Sequence, residues 1–193
     1  MNNRIIIAID AMGGENAPSK NIEGVFLYLK KKDKKKTVFF NLYGNEELIK
    51  KELSKYSISE NQYKIFPSST VVSDEETPLT AIKNSKDSSM WNSINSQIIS
   101  NSDITLSAGN TGVLFVVSRM LLKTIESVSK PALAGLWPNK KNMNVVLDLG
   151  ANVECDDKNL VDFSEMGAAL YKALFPKDTP KVALLNIGSE EIK

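Results

Sequence analysis

The chain has 193 residues, of which 42% are hydrophobic and 24% are charged, so a single domain over residues 1–193 with a sizeable core is expected. Its 24 basic residues balance 23 acidic ones, which gives no overall attraction to nucleic acid. Histidine is absent and Cys155 is the only cysteine. This composition excludes Ser-His-Asp and Cys-His catalysis, an internal disulfide, and metal sites built from histidine or clustered cysteines.

The sequence predicts neither an export signal nor a membrane-spanning segment. The apolar run near the amino terminus breaks at Asp10, which is too early for a signal peptide or an anchor. No apolar stretch reaches the length needed to cross a bilayer. A lone cysteine is compatible with a reducing compartment. We therefore expect a cytoplasmic protein, and one that needs no metal and no cofactor.

An apolar run over residues 4–9 predicts a first strand buried on both faces of a parallel sheet. Asp10 follows this strand, and Gly13 and Gly14 come three and four residues later. Doubly wound sheets bind ligands at this position, the carboxyl end of a strand. The three residues are therefore candidate site residues. The alternative for Asp10 is that its carboxylate only accepts hydrogen bonds from loop N–H groups.

A helix predicted over residues 19–29 leads into a lysine-rich segment at residues 30–36. Such runs are usually solvated, and this one suits the end of a helix. The alternative is a contact with an acidic partner or an anionic membrane surface. Further strands are predicted over residues 37–43 and 63–66, with a helix between them and another over residues 90–100.

The most informative segment runs from residue 103 to residue 120 and reads DITLSAGNTGVLFVVSRM. It predicts a strand, a glycine turn and the start of a helix. The candidate residues in the turn are Ser107, Gly109, Asn110, Thr111 and Gly112. Thr111 can cap the helix or bind an anion, and Asn110 tolerates a left-handed backbone. The turn is typical of a phosphate site, because a helix amino terminus offers unpaired N–H groups, or of an ordinary capped turn.

Two further strands are predicted over residues 132–137 and 144–149, and the short loop between them suggests an antiparallel or hairpin excursion within the otherwise parallel sheet. Asp148 and Asn152 lie in the polar turn that follows. A helix over residues 160–175 and a last strand over residues 181–186 complete the pattern. Strands that alternate with helices predict an α/β fold, a doubly wound and mostly parallel sheet with helices on both faces. Several of the polar turns are expected to share one edge of this sheet.

The segment SAGNTGVL at residues 107–114 closely resembles the SAGNTGAL motif of the PlsX family. These phosphate acyltransferases make acyl phosphate from acyl-acyl-carrier-protein and inorganic phosphate. Five more matches follow the family's order: IAIDAMGGENAP at 7–18, SSM at 88–90, KPALAGLWP at 130–138, LDLGANVEC at 147–155 and LLNIGSEEIK at 184–193. The family continues through later motifs of the forms GNVEG and DGFTGN, so the chain resembles its amino-terminal part.

This resemblance implies a Rossmann-like fold of the isocitrate and isopropylmalate dehydrogenase type, without its carboxyl-terminal part. It implies an acyltransferase of phospholipid synthesis whose partners are acyl carrier protein and inorganic phosphate. It further implies a homodimer that acts near the inner membrane surface. In the family, basic residues precede Ser-Ser-Met, and Lys83 and Lys86 hold comparable places here; exposed lysines beside a loop are the alternative.

Acyl transfer to phosphate suits a chain without histidine, because phosphate is already anionic and needs positioning more than deprotonation. Backbone and asparagine donors can stabilise the charge that develops on the thioester carbonyl. We predict Asn110, Asp10 and Asn152 as catalytic residues. The predicted substrate-binding residues are Gly13, Gly14, Lys86, Ser107, Gly109, Thr111, Gly112 and Asp148. A covalent acyl-enzyme is disfavoured, since Ser107 and Cys155 have no base beside them.

Three other functions are compatible with the sequence. A phosphotransacetylase-like acyltransferase would use acyl-coenzyme A as its donor. A dehydrogenase of the isocitrate type is disfavoured by the absence of a GxGxxG fingerprint. A binding-only α/β domain would retain phosphate or carrier protein without turnover.

Overall fold

The computed structural model describes residues 4–31, 37–73, 75–77, 80, 83, 85–140 and 142–186. Residues 32–36 of the lysine-rich segment and residues 187–193 of the last motif lie outside this set. The chain divides into two compact units, the first unit at residues 1–123 and the second unit at residues 124–193. The expectation of a single domain over residues 1–193 stays a prediction.

The first unit contains a parallel four-stranded sheet. Its strands are β1 (Ile5–Asp10), β2 (Val38–Gly44), β3 (Tyr63–Pro67) and β4 (Ile104–Leu106). Their order across the sheet is β3-β2-β1-β4, and every neighbouring pair is parallel. The predicted α/β class is therefore confirmed. The direction in which the chain adds strands reverses between β1 and β4, and ligands of doubly wound sheets bind outside such a switch point.

Helices flank this sheet. They are α1 (Ser19–Lys30), α2 (Glu46–Leu53), α3 (Ser89–Ile98) and α4 (Thr111–Leu122). Asn45 caps the helix α2, because its side chain accepts the N–H of Leu48 at 3.0 Å. Ser88 caps α3 in the same way through the N–H of Trp91, at 3.1 Å. These caps supply acceptors for first-turn donors that a helix leaves unpaired.

Two hydrophobic clusters hold the first unit together. In one, apolar side chains of β1 and β2 pack with α1 and α2; its most buried members include Leu42, Ile22 and Ile49, all 0% exposed. In the other, α3 packs against α4 through Met90, Ile94, Val113 and Val117. Helical spacing places Val113 and Val117 on one face of α4, and both are 0% exposed. This second cluster fixes the start of α4 beside the end of β4.

The second unit contains the predicted antiparallel hairpin, but its two strands form a sheet of their own and, contrary to the prediction, are not part of the parallel sheet. Its strands are β5 (Gly135–Pro138) and β6 (Met143–Val146), shifted by up to three residues from the predicted bounds. The helix α5 (Asp157–Leu174) follows, and Asp156 and Asn159 form a capping box at its start. Among the helices of the described residues, none is long and apolar enough to cross a membrane.

The strand predicted over residues 181–186 is wrong. These residues are irregular, and Val182, Leu184 and Leu185 are 59%, 71% and 64% exposed. A strand needs a neighbour to pair with its backbone, and in the described part of the chain no other strand pairs with this segment. The apolar pattern of a segment does not reveal whether another strand will lie beside it.

Candidate anion-binding site

The turns after β1 and β4 meet at the switch point of the sheet. The Ser107 hydroxyl donates a hydrogen bond of 2.7 Å to Oδ2 of Asp10. A Cβ atom at Gly13 would collide with the same Oδ2 and would lie 3.0 Å from the Gly109 nitrogen. At Gly14, φ is +88° and a Cβ atom would lie 2.6 Å from the Ala108 carbonyl oxygen. Both glycines are therefore required for the close approach of the two turns.

Asn110, and not Thr111, caps the helix α4. The Asn110 side chain accepts the N–H of Val113 at 3.1 Å, and its backbone has φ −54° and ψ 114°. The tolerance of asparagine for a left-handed backbone is therefore not used here. Thr111 is the first residue of the helix, since the carbonyl of Asn110 already accepts the first helical bond, from Leu114 at 2.9 Å.

The amino terminus of α4 presents backbone donors to solvent. The N–H groups of Thr111 and Gly112 have no acceptor among the residues that the structure describes, and both residues are exposed. Helix geometry leaves such donors unpaired, and the positive end of the helix dipole lies at the same place. These two groups can bind an anion such as phosphate.

The amino terminus of α3 differs, although it lies close by. The N–H of Ser89 donates to the Thr70 carbonyl at 3.1 Å, and the N–H of Trp91 donates to the Ser88 hydroxyl. Ser88, Ser89 and Met90 are all buried. Because the N–H groups of Ser89 and Trp91 have acceptors and its first residues are buried, the start of α3 is less open to an anion than the start of α4.

Asn110 also connects α4 to the loop after β3. Its amide Nδ2 donates to the Glu76 carbonyl oxygen at 3.0 Å. The Glu76 carboxylate is half-buried; Oε1 accepts the N–H of Ser73 at 3.2 Å, and Oε2 has no partner among the described residues. The sequence prediction missed Glu76, because nothing local in a polar loop indicates which helix it will contact.

Asn21 fixes the loop after β1 and was also missed. Its amide Nδ2 donates to the carbonyl oxygens of Ala11 at 2.9 Å and Gly13 at 3.0 Å. Asn21 stands between apolar positions of α1, so its only sequence signal was a polar residue beside the buried stripe of a helix. The loop that carries the candidate glycines is thereby held by a side chain of the helix that follows it.

Asp10 is 1% exposed, and its charged form is disfavoured. Burial raises the pKa of the Asp10 carboxyl above its ordinary value, and this is the largest effect. The nearby hydroxyls of Ser89 and Ser107 and backbone N–H groups of Met12 and Gly13 oppose the rise, although of the two hydroxyls only that of Ser107 has the geometry of a hydrogen bond to the carboxylate. The Asp10 Oδ1 and the Ser89 hydroxyl, itself 1% exposed, make no hydrogen bond within the described set. Ser89 lies in the SSM motif but was not predicted as a site residue.

The predicted site residue Lys86 is exposed in the turn before α3. It makes no hydrogen bond or ion pair with the residues described here, so its predicted contact with substrate stays a prediction. Lys83 is exposed as well. Neither lysine is among the groups that shape the turn before α4.

Asp148 and Asn152 lie in the second unit and organise its own backbone. The Asp148 carboxylate accepts the N–H groups of Leu133 and Ala151, each at 3.3 Å, and that of Asn152 at 2.9 Å. The Asn152 amide donates to the Pro131 carbonyl at 2.8 Å and to the Asp148 carboxylate at 3.1 Å. The donors of Asn152 are therefore engaged within the unit, and its predicted contact with substrate stays a prediction.

The described residues contain no group of three or more His, Cys, Asp or Glu side chains that could hold a metal ion. Cys155 is a free, half-buried thiol. In the first unit, two backbone N–H groups without an acceptor among the described residues follow a turn that is bonded to a buried carboxylate.

Comparisons with known proteins agree with the sequence motifs. A family model described as "Fatty acid synthesis protein" matches residues 5–193. A phosphate acyltransferase of Pelagibacter ubique is 50% identical over 193 residues, which is 100% of this chain and 56% of that protein. One of Anaplasma phagocytophilum is 42% identical over 98% of this chain and 55% of its own length. A phosphate acyltransferase of Magnetococcus marinus is 40% identical over 97% of this chain and 53% of its own length. The chain spans about half the length of these relatives.

Proposed function

The chain belongs to the fatty acid synthesis protein family, and on this premise we propose that it takes part in transferring a fatty acyl group from acyl-acyl-carrier-protein to inorganic phosphate. The product is acyl phosphate, a precursor for phospholipid synthesis. The single observation that carries the proposal is the open pair of N–H groups at Thr111 and Gly112, in the turn that most resembles the family's motif. Relatives named phosphate acyltransferase support it.

In this reaction, phosphate binds at the start of α4. One of its oxygens attacks the thioester carbonyl carbon, so a carbon–oxygen bond forms and the carbon–sulfur bond breaks. The thiolate of the carrier group leaves and takes up a proton from water. The protein contributes by holding phosphate in line with the carbonyl, which replaces a bimolecular encounter by a positioned one. No histidine is required, because phosphate is an anion near neutral pH.

The roles of the other predicted residues follow from their contacts. Asn110 keeps the start of α4 formed and holds the Glu76 segment against it. Gly13, Gly14 and Gly109 allow the two turns to approach. Asp148 and Asn152 hold the turn of the second unit, and a direct contact of the Asn152 amide with the thioester would require the amide to exchange a partner.

The partners and location come from the family resemblance. We propose acyl carrier protein as the acyl donor, a homodimer as the working form, and a cytoplasmic location with peripheral contact at the inner membrane surface. Lys86 is exposed and so is available to an acidic carrier protein. Replacing Lys86 by Glu is expected to raise KM for the acyl-carrier-protein and to leave KM for phosphate unchanged.

The proposal is tested by acyl-phosphate formation from acyl-acyl-carrier-protein and phosphate, in the purified chain shown by circular dichroism to be folded. We expect product with the carrier-protein thioester and less with acyl-coenzyme A. Equal or better use of acyl-coenzyme A would favour the phosphotransacetylase-like alternative. Protection by phosphate against unfolding without any acyl phosphate would favour a binding-only domain, for which the internally engaged donors of Asn152 are the supporting observation.

A further inference from the structure

Asp10 lies beneath the anion-binding turn and not in it. Its side chain is 1% exposed, and a Cβ atom at Gly13 would collide with Oδ2, so backbone covers the carboxylate. A phosphate ion at Thr111 and Gly112 therefore meets N–H groups, while Asp10 stays out of reach. Asp10 therefore has no direct contact with a phosphate at this place, and it can orient the turn only through another residue.

Ser107 is that residue. A hydroxyl has one proton, and Ser107 gives it to Asp10 Oδ2 at 2.7 Å. The lone pairs of the hydroxyl are left to face the N–H of Gly109, which donates to Ser107 Oγ at 3.1 Å. The bonds thus run in one direction, from the Gly109 peptide to the hydroxyl to the carboxylate. The Gly109 peptide immediately precedes Asn110, the residue that caps α4.

The position of Asp10 is costly for stability. No Lys or Arg side chain of the described residues forms an ion pair with it, and Oδ1 has no hydrogen-bond partner among them. A buried carboxylate without a cation is unfavourable, and burial raises its pKa. Strained or costly arrangements of this kind are found where function, and not stability, requires them.

We propose that Asp10 is a positioning residue which orients the phosphate-binding turn through Ser107, with the Ser89 hydroxyl as a second contact for its other carboxylate oxygen. Ser89 fits this role because its hydroxyl is buried without a partner and its backbone is fixed by the bond to Thr70. The inference rests on the phosphate site proposed above. It assigns to Asp10 an indirect role in place of the predicted catalytic one.

The test measures the affinity of the 193-residue chain for inorganic phosphate by titration calorimetry, together with hydrogen exchange of the Gly109 amide and the unfolding temperature. Ser107→Ala is expected to weaken phosphate binding by up to about tenfold, the upper value of one hydrogen bond, because the Gly109 peptide loses the acceptor that orients the turn. Asp10→Asn is expected to weaken it about threefold, because a neutral amide orients the hydroxyl less firmly. Both changes should speed exchange of the Gly109 amide.

The sign of the Asp10 effect separates positioning from simple electrostatics. Removing a negative charge near phosphate would by itself tighten binding, whereas loss of orientation weakens it. A purely structural role predicts that stability and affinity fall together. We expect Asp10→Asn to raise the unfolding temperature and lower the affinity. Since Asp10 acts through Ser107, the double variant should bind no more weakly than Ser107→Ala.

Matched controls complete the design. Ser107→Thr keeps the hydroxyl and should bind phosphate like the parent, which also covers the case in which Ser107→Ala does not fold. Ser89→Ala should weaken binding, whereas Ser85→Ala, a buried serine whose hydroxyl also lacks a partner, should not. The proposal is overturned if Asp10→Asn tightens binding, or if both variants leave the affinity and the Gly109 exchange unchanged. If the parent binds no phosphate but Gly109 exchange still responds, the positioning role stands and the proposed ligand is wrong.

Discussion

Two polar turns of this chain look alike in sequence but differ in what they leave available. The turn at residues 107–110 ends in a helix whose first two N–H groups have no acceptor in the described structure. The turn at residues 148–152 is closed on itself: Asp148 accepts three backbone N–H groups, and the Asn152 amide is already bonded to Pro131 and Asp148. A turn that carries glycine and asparagine after a strand is thus a candidate ligand site only where the fold leaves donors unused.

The largest effect is expected from removing the acceptor that closes the second turn. Asp148→Ala leaves the N–H groups of Leu133, Ala151 and Asn152 without their acceptor. We expect a loss of about 3 kcal/mol in the free energy of unfolding, because unsatisfied polar groups cost more than the bonds that paired them. Denaturant unfolding measures the loss. Phosphate affinity of the molecules that remain folded should not change, and a weaker affinity without destabilisation would contradict a structural role.

The open donors of the first turn can be removed one at a time. Proline is favoured at the first helical position, and Asn110 before it has a ψ of 114°, which is compatible with a following proline. Thr111→Pro therefore deletes one N–H while keeping the helix. We expect phosphate affinity to fall by about 1.5–3 kcal/mol, the value of a hydrogen bond to a charged group.

The controls separate the backbone of Thr111 from its side chain. Thr111→Ala removes the hydroxyl and keeps the N–H, so its affinity should lie within about threefold of the parent. Asp157→Pro makes the equivalent change at the start of α5 and should leave phosphate binding unchanged. Equal binding by Thr111→Pro and the parent in titration calorimetry would remove α4 as the phosphate site.

Asn110 makes two contacts in the first turn: its side-chain oxygen caps α4, and its amide group donates to the Glu76 carbonyl oxygen. Asn110→Ala should cost about 1 kcal/mol of unfolding free energy through the lost cap. Asn110→Ser keeps a capping oxygen and should recover most of that loss. We expect phosphate affinity to depend on the capping oxygen, so that the Asn110→Ser variant binds phosphate more tightly than the Asn110→Ala variant. If the Asn110→Ser variant binds phosphate as weakly as the Asn110→Ala variant in the same titration, the amide of Asn110 itself contacts the anion.

The smallest expected effect is a pH dependence of stability. Burial raises the pKa of Asp10 in the folded chain above its ordinary value of 3.8. The folded state therefore holds this proton more tightly than the unfolded state, and the resulting stabilisation is complete below the unfolded pKa and lost as pH rises through the folded one. The parent should lose stability relative to Asp10→Asn over this window. Thermal unfolding of both proteins from pH 3.5 upward measures the difference, and parallel curves would refute the shift.

Local sequence was sufficient for most elements of the fold. Apolar runs predicted β1 to β3 within one residue at each end, and apolar spacing predicted α3 within two residues at each end. It failed at residues 181–186, where the pattern is apolar but no neighbouring strand pairs with it. It also missed Asn21, Glu76 and Ser89, because their roles depend on partners that the local pattern does not name.

The sequence by itself determined that a glycine turn would join a parallel strand to a helix, and its motifs determined the family. Only the tertiary structure decided that Asp10 lies buried under that turn, bonded to a serine 97 positions away, and that the start of α4 is open while the start of α3 is closed. The physical reason is that burial and hydrogen-bond satisfaction are set by groups that come together only when the sheet forms.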